Sequence, residues 1–128
     1  MLKEWKSGET DQEAGQAAPV DRIHLGRYTL GDSVLEREIL GLFVAQVPLT
    51  LETLKFATND KDWGVAAHTL KGSGRAIGAW RIAALAQQAE KLGGIGDREA
   101  CLGIIHEIEE ASAEVEAYLA RIFPPLSG

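Results

Sequence analysis

Apolar and polar positions recur along most of the chain with the period of an α-helix. The clearest case is the segment from residue 61 to residue 77, where the apolar and small positions are three or four residues apart. They are Trp63, Ala66, Ala67, Leu70, Gly74 and Ile77. Residues at this spacing share one face of a helix, so the pattern predicts a helix with one buried side. No segment shows the alternation typical of a strand.

The segment before it predicts a longer helix. Asp32 or Ser33 is the expected cap, and Ser33 and Glu36 have the spacing of a capping box. The apolar spacing continues across Pro48, so we expect a kink there and not an end. The predicted buried positions are Leu35, Ile39, Leu42, Phe43, Val47, Leu51 and Leu54.

Three further helices are expected, one before and two after these segments. A short first helix is capped by Asp21 and ends near Gly31. A fourth helix spans about residues 80–92, and Asp97 caps a long last helix that ends at the prolines 124 and 125. Their predicted buried positions are Ile82, Leu85, Ala86, Ala89 and Leu92, then Cys101, Ile104, Ile105, Ile108, Ser112, Val115, Leu119 and Ile122.

The predicted fold is therefore all-α, because four long amphipathic helices joined by short turns pack as an antiparallel up-and-down four-helix bundle. The additional short N-terminal helix is expected to cover this bundle. We assign residues 19–124 to the bundle. Residues 1–18 lack periodicity and are expected to form a flexible N-terminal tail, and residues 125–128 a C-terminal tail.

The polar face of the 61–77 helix contains an unusual group of residues around His68. Gly64 lies one turn before it and Gly72 one turn after it, while Lys71 and Arg75 lie at three and seven positions further on. An exposed glycine inside a helix costs about 0.8–1 kcal/mol relative to alanine. Two glycines beside one histidine therefore suggest that another molecule must come close to the imidazole.

Composition restricts the remaining function classes. The chain has 128 residues with ordinary hydrophobic and charged fractions, which fits one soluble domain. Its net charge of −6 argues against general binding to nucleic acid or to anionic membranes. Cys101 is the single cysteine, and no signal peptide or membrane-spanning run is apparent, so we expect a cytoplasmic protein.

The stretch from His68 to Gly78 resembles the signature of histidine-containing phosphotransfer (HPt) domains. The family pattern has a lysine three positions after the histidine, a glycine four after, a small residue next and a glycine ten after, and every element is present. The resemblance extends over about residues 20–123. It also includes Asp62-Trp63, Gly31-Asp32, Leu42-Phe43, Pro48, Leu85 and Glu90.

The resemblance implies that His68 accepts a phosphoryl group from a response-regulator receiver domain or a sensor histidine kinase, and passes it to another receiver. Lys71 and Arg75 would offset the incoming charge, while Gly64 and Gly72 would leave access to the imidazole. No nucleotide-binding motif is present, so we expect a phosphoryl carrier and not an enzyme. By the resemblance, we expect no cofactor or metal in the chain itself, since the receiver would supply Mg²⁺. We expect a monomer, although the sequence leaves dimerisation open.

Two assignments near the histidine have competing interpretations. By the resemblance, Glu90 faces His68 and accepts a hydrogen bond from Nδ1–H, which leaves Nε2 as the attacking nitrogen. Glu90 could equally be a solvated surface residue, and so could Arg75. The sequence does not decide between these interpretations.

A small uncharged strip beside His68 is a candidate surface for docking a partner. Val65, Thr69, Gly72 and Ala76 recur at steps of three and four on the predicted helix. An apolar contact at this place would hold an acceptor carboxylate in line with Nε2. The alternative is that Val65 and Ala76 form the edge of the core.

Other function classes compete with phosphotransfer for this sequence. A helical interaction module without phosphate chemistry is the main alternative, with His68 an ordinary surface residue. A di-iron carboxylate enzyme would need inward Glu-x-x-His pairs on two helices, which the chain does not have. Cys101 and the three histidines lack the spacing of a zinc site.

Overall fold

The computed structural model describes residues 18–123, and these form five helices without strands. The helices are α1 (Arg22–Thr29), α2 (Ser33–Lys55), α3 (Asp60–Ile77), α4 (Trp80–Lys91) and α5 (Arg98–Ile122). Both predicted tails lie outside the described residues, except for Ala18. The two prolines expected after α5 lie outside them as well. None of the described helices combines the length and apolarity needed to cross a membrane.

The long helices form the predicted up-and-down four-helix bundle. Each packs against its neighbours in the chain, and α5 closes the ring by packing against α2. Connections of two to six residues join α2 to α3, α3 to α4, and α4 to α5, which makes consecutive helices antiparallel. The short helix α1 lies across one end of the bundle against α2 and α3, as a cover.

Polar side chains cap four of the five helices. The capping residues are Asp21, Asp32, Asn59 and Asp97. Each accepts a hydrogen bond from a backbone amide of the first turn, which no residue of the helix can satisfy. The capping box predicted from Ser33 and Glu36 is wrong. Asp32 is the cap, and Glu36 is instead buried, where it accepts hydrogen bonds from Arg22 and Thr29.

The predicted buried face of α3 is confirmed at all six positions. On α4 the prediction holds except for Leu92, which lies past the last turn and is exposed. On α5 the buried stripe is confirmed as far as Val115, while Leu119 and Ile122 are only partly buried. The helix therefore emerges from the core over its last two turns.

The prediction for α2 is wrong at two positions. Leu42 is 71% exposed and Leu35 is also exposed, whereas Leu40 is fully buried. The helix carries apolar residues on more than one side, so spacing by threes and fours fits two different faces. The buried face is the one that continues from Glu36 through Leu40. The helix does not end at Pro48, as expected, and the kink there stays a prediction.

Two close contacts fix α3 against its neighbours. The indole Nε1 of Trp63 donates a hydrogen bond of 2.7 Å to the carbonyl of Ala89 in the last turn of α4. Gly78 ends α3 with a φ of 83°, where a side chain would be strained and its Cβ would lie 2.8 Å from the carbonyl oxygen of Asp21. The Trp63 hydrogen bond holds α4 beside α3, and the close approach of Gly78 to Asp21 holds the start of α1 against the end of α3.

Candidate functional site

His68 lies in the middle of α3, on the side opposite the buried face. Its side chain is 68% exposed. Ala67, directly before it on the helix, and Leu70, two residues after it, are buried and hold the helix in place. The imidazole therefore stands on a rigid support and is open to solvent.

The Glu90 carboxylate, on α4, bridges His68 and Lys71. Its Oε2 lies 3.0 Å from Nδ1 of His68, and its Oε1 accepts a hydrogen bond of 2.6 Å from Nζ of Lys71. An ionised carboxylate only accepts hydrogen bonds, so Nδ1 must carry the proton of this contact. In the neutral ring this leaves the lone pair on Nε2, in a side chain that is largely exposed.

Two hydrogen bonds hold the pKa of Glu90 below its ordinary value. The one from Lys71 has the larger effect, and the one from His68 the next largest. The carboxylate is therefore ionised throughout the neutral pH range. Lys71 is only 16% exposed, because its side chain lies along the bundle and its ammonium group points at Glu90. The site thus contains one anion shared between one cation and one imidazole.

The other residues predicted around His68 surround it less closely. Arg75 donates a hydrogen bond of 2.8 Å to Oε1 of Gln87, which holds the guanidinium over α4, one turn beyond Lys71. A Cβ placed at Gly64 or Gly72 would meet nothing within 4 Å. The surface on both sides of the imidazole is therefore open space.

The strip predicted for docking is exposed. Val65 and Ala76 are both exposed, so neither belongs to the core. Val65 and Thr69 form one wall of a groove between α2 and α3 with a volume of about 640 Å³. Ala76 lies on α3 beyond the residues that line this groove.

The opposite wall of the groove contains residues that were not predicted from the sequence. Leu49 of α2 and Phe56, directly after the end of α2, are exposed to solvent, and Thr50 and Thr53 lie between them. The seven-residue step from Leu42 to Leu49 to Phe56 is the signal that could have revealed them, since it marks a second apolar stripe.

The remaining histidines and the cysteine have different surroundings. His24 packs against the ring of Trp80, with centroids 4.8 Å apart. His106 lies on α5 with its two nitrogens 3.9 Å from Glu109 and 3.5 Å from Glu110. Cys101 is buried, and burial raises the pKa of its thiol. Within residues 18–123, no group of three or more His, Cys, Asp or Glu side chains could hold a metal ion.

Comparisons with known proteins identify one family. The family model described as "Hpt domain" matches residues 38–120, which include α3 and α4 completely and most of α2 and α5. The matched segment contains His68, Lys71, Gly72 and Glu90. No curated protein and no solved structure matches the chain.

Proposed function

Because the chain belongs to the Hpt domain family, we propose that His68 is the residue that carries its phosphoryl group. Hpt domains are phosphoryl carriers of two-component signalling. In this proposal, His68 receives the group from the aspartyl phosphate of a receiver domain or from a sensor histidine kinase, and passes it to another receiver domain.

The contact between His68 Nδ1 and the Glu90 carboxylate is the observation that carries this assignment. It leaves the Nε2 lone pair exposed, as a nucleophile for phosphorus must be. His106 is equally exposed, but it lies between two glutamates of its own helix, which would repel an incoming phosphoryl group. His24 packs against an aromatic ring instead of facing solvent freely.

The transfer is a direct displacement at phosphorus. The Nε2 lone pair forms the N–P bond while the bond from phosphorus to the aspartyl oxygen breaks, and its electron pair returns to the aspartate. The passage to the next receiver is the reverse of this step. Lys71 and Arg75 provide positive charge beside the transferred group, and the receiver supplies Mg²⁺ through its own acidic residues.

The groove between α2 and α3 supports the docking part of the proposal. Val65 and Thr69, which lie within one turn of His68 on α3, and Leu49 of α2 line it with uncharged side chains, while Lys61 and Asp62 lie at its far end. Ala76 extends the strip on the other side of Gly72. A receiver helix seated here would place its aspartate against Nε2, and most of the rate acceleration would come from this alignment.

Incubation with a phosphorylated receiver or an active sensor kinase tests the proposal. The wild-type chain and His106→Gln should both acquire an acid-labile, base-stable phosphate, whereas His68→Gln should acquire none. His68→Gln should still fold, since an exposed side chain contributes little packing. Phosphate on His24 or His106 would overturn the site. A wild-type chain that binds a receiver but never becomes labelled would instead favour the interaction module.

A further inference from the structure

The charge of Glu90 has a consequence for the state of His68 after phosphorylation. An amide would orient the imidazole as well as a carboxylate does, because both can accept a hydrogen bond from Nδ1–H. We propose that the carboxylate of Glu90 keeps Nδ1 of phosphorylated His68 protonated, and thereby keeps the phosphohistidine in its cationic, transfer-competent form. This inference rests on the proposed function.

The proton balance of the transfer explains why the charge matters. Before transfer the ring is neutral, with its proton on Nδ1 and its lone pair on Nε2. When Nε2 forms the N–P bond, Nδ1 keeps its proton and the ring becomes cationic. When the N–P bond breaks toward the next aspartate, its electron pair returns to Nε2 and the ring leaves as neutral imidazole. No other proton donor is required.

Loss of the Nδ1 proton would interrupt this cycle. A phosphorylated ring without that proton is neutral and would have to leave as an imidazolate anion, which is a much poorer leaving group. An anion at 3.0 Å from Nδ1 favours the protonated ring, because opposite charges at this distance stabilise each other. Glu90 therefore acts through the imidazole, as a positioning residue, and does not touch the phosphoryl group.

The other groups near His68 on α3 and α4 do not favour a cationic ring as Glu90 does. On α3, Lys71 and Arg75 disfavour a cationic ring, but the negative phosphoryl group that arrives on Nε2 offsets them. On α4, Gln87 is uncharged and Lys91 is exposed, one residue beyond Glu90.

The remaining neighbours of α3 contribute no charge near the ring. The residues of α2 that line the adjacent groove are all uncharged, and Lys61 and Asp62 of α3 lie at its far end. The helix α1 packs near Gly78, ten residues or about 15 Å from His68. Glu90 is thus the only carboxylate of residues 18–123 in hydrogen-bond contact with this imidazole.

Titration of the phosphorylated ring tests the inference without a partner protein. Wild type, Glu90→Gln and Glu110→Gln would be phosphorylated with phosphoramidate, a small-molecule donor, and followed by ³¹P and ¹⁵N NMR from pH 6 to 10. Glu110→Gln is the matched control, because it changes the net charge equally but lies on α5 beside His106. Glu90→Gln should lower the pH midpoint of the ring by about one unit or more, and Glu110→Gln should leave it unchanged.

The transfer rate should show the same shift. With a receiver as acceptor, Glu90→Gln should transfer phosphate almost normally at pH 6. As the pH rises, it should lose transfer activity at a lower pH than wild type does. Equal loss at every pH, with an unshifted ring titration, would mean that Glu90 only orients the ring and would overturn the inference. Absence of phosphate on His68 would overturn the proposed function itself, together with this inference.

Discussion

Gly74 of α3 lies directly against the backbone of Ala83 of α4. A Cβ at position 74 would be 3.2 Å from the amide nitrogen of Ala83 and 3.3 Å from its Cα. Backbone atoms of a packed helix cannot rotate away as the end of a side chain can. The absence of a side chain at this position therefore sets how closely α3 and α4 approach, and with it the distance from His68 to Glu90.

The first prediction compares two glycines of the same helix. Gly74→Ala should lower the free energy of unfolding by about 1–3 kcal/mol through overpacking, despite its better helix propensity. Gly72→Ala should raise it by up to about 1 kcal/mol, since its Cβ would meet nothing within 4 Å. Urea unfolding of both variants measures the difference. A stabilised Gly74→Ala would show that the helices separate easily.

The second prediction concerns the buried carboxylate of Glu36, which joins α1 to α2. Arg22 donates to it at 2.8 Å and Thr29 at 3.1 Å, while Glu36 itself is 4% exposed. Arg22→Met would leave this buried acceptor short of a partner, and should lower the free energy of unfolding by about 1–3 kcal/mol.

Arg81→Met is the control for that substitution. Arg81 also pairs with a glutamate, Glu114, at 2.9 Å, but both of these side chains are largely exposed. Exposed pairs contribute about 0–1 kcal/mol, so this variant should remain close to wild type. Equal losses in Arg81→Met and Arg22→Met would show that burial of Glu36 does not matter.

The third prediction is a pH dependence at the cap of α1. Burial by itself would raise the pKa of Asp21, but hydrogen bonds from the Trp80 indole and the His24 amide outweigh it and hold the pKa below its ordinary value. A carboxyl with a depressed pKa in the folded state stabilises the fold above its unfolded pKa, near 3.9. That stability is lost as the pH falls through the folded pKa.

Trp80→Phe tests this directly, because it removes the indole donor and keeps an aromatic ring against His24. The pKa of Asp21, measured by ¹³C NMR of its carboxyl carbon, should rise toward its ordinary value. The slope of stability against pH between about pH 5 and 3 should become shallower. Asp21→Asn should remove the same part of the slope, and an unchanged slope in both variants would contradict the assignment.

The accuracy of sequence-based prediction differed between helices for a physical reason. On α3 the two faces differ sharply, with Trp63 and Leu70 on one side and His68 and Lys71 on the other, so spacing alone identified the buried face. On α2 apolar residues occur on both sides, and spacing could not separate Leu40 from Leu42. The choice depends on tertiary contacts such as that of Glu36 with Arg22, which the sequence does not reveal.

The same limit applies to the site. The pattern of His68, Lys71 and Gly72 lies within one helix, so helical geometry placed these residues together without knowledge of the bundle. The contact with Glu90 depends on how α4 crosses α3, which is set by the approach of Gly74 to Ala83. Sequence spacing therefore left Glu90 undecided between a partner of His68 and a surface residue.

The last prediction separates access to His68 from stability of the helix. Gly72 lies one turn after His68 and is exposed. A glutamine at this position would add bulk beside the imidazole, where a receiver must approach, and would also improve helix propensity by up to about 1 kcal/mol. Gly72→Gln should therefore fold with equal or higher thermal stability and lose most of its phosphotransfer with a receiver.

Gly103→Gln provides the matched control. Gly103 is an exposed glycine inside α5, and its Cβ would also meet nothing within 4 Å, so the gain in helix propensity should be similar. Because α5 does not pack against α3, this variant should transfer phosphate at the wild-type rate. Normal transfer by Gly72→Gln would refute the steric role of Gly72. A loss of transfer accompanied by unfolding would refute it as well. A side chain at position 72 has open space around it, so it should block access to the imidazole while the bundle stays folded.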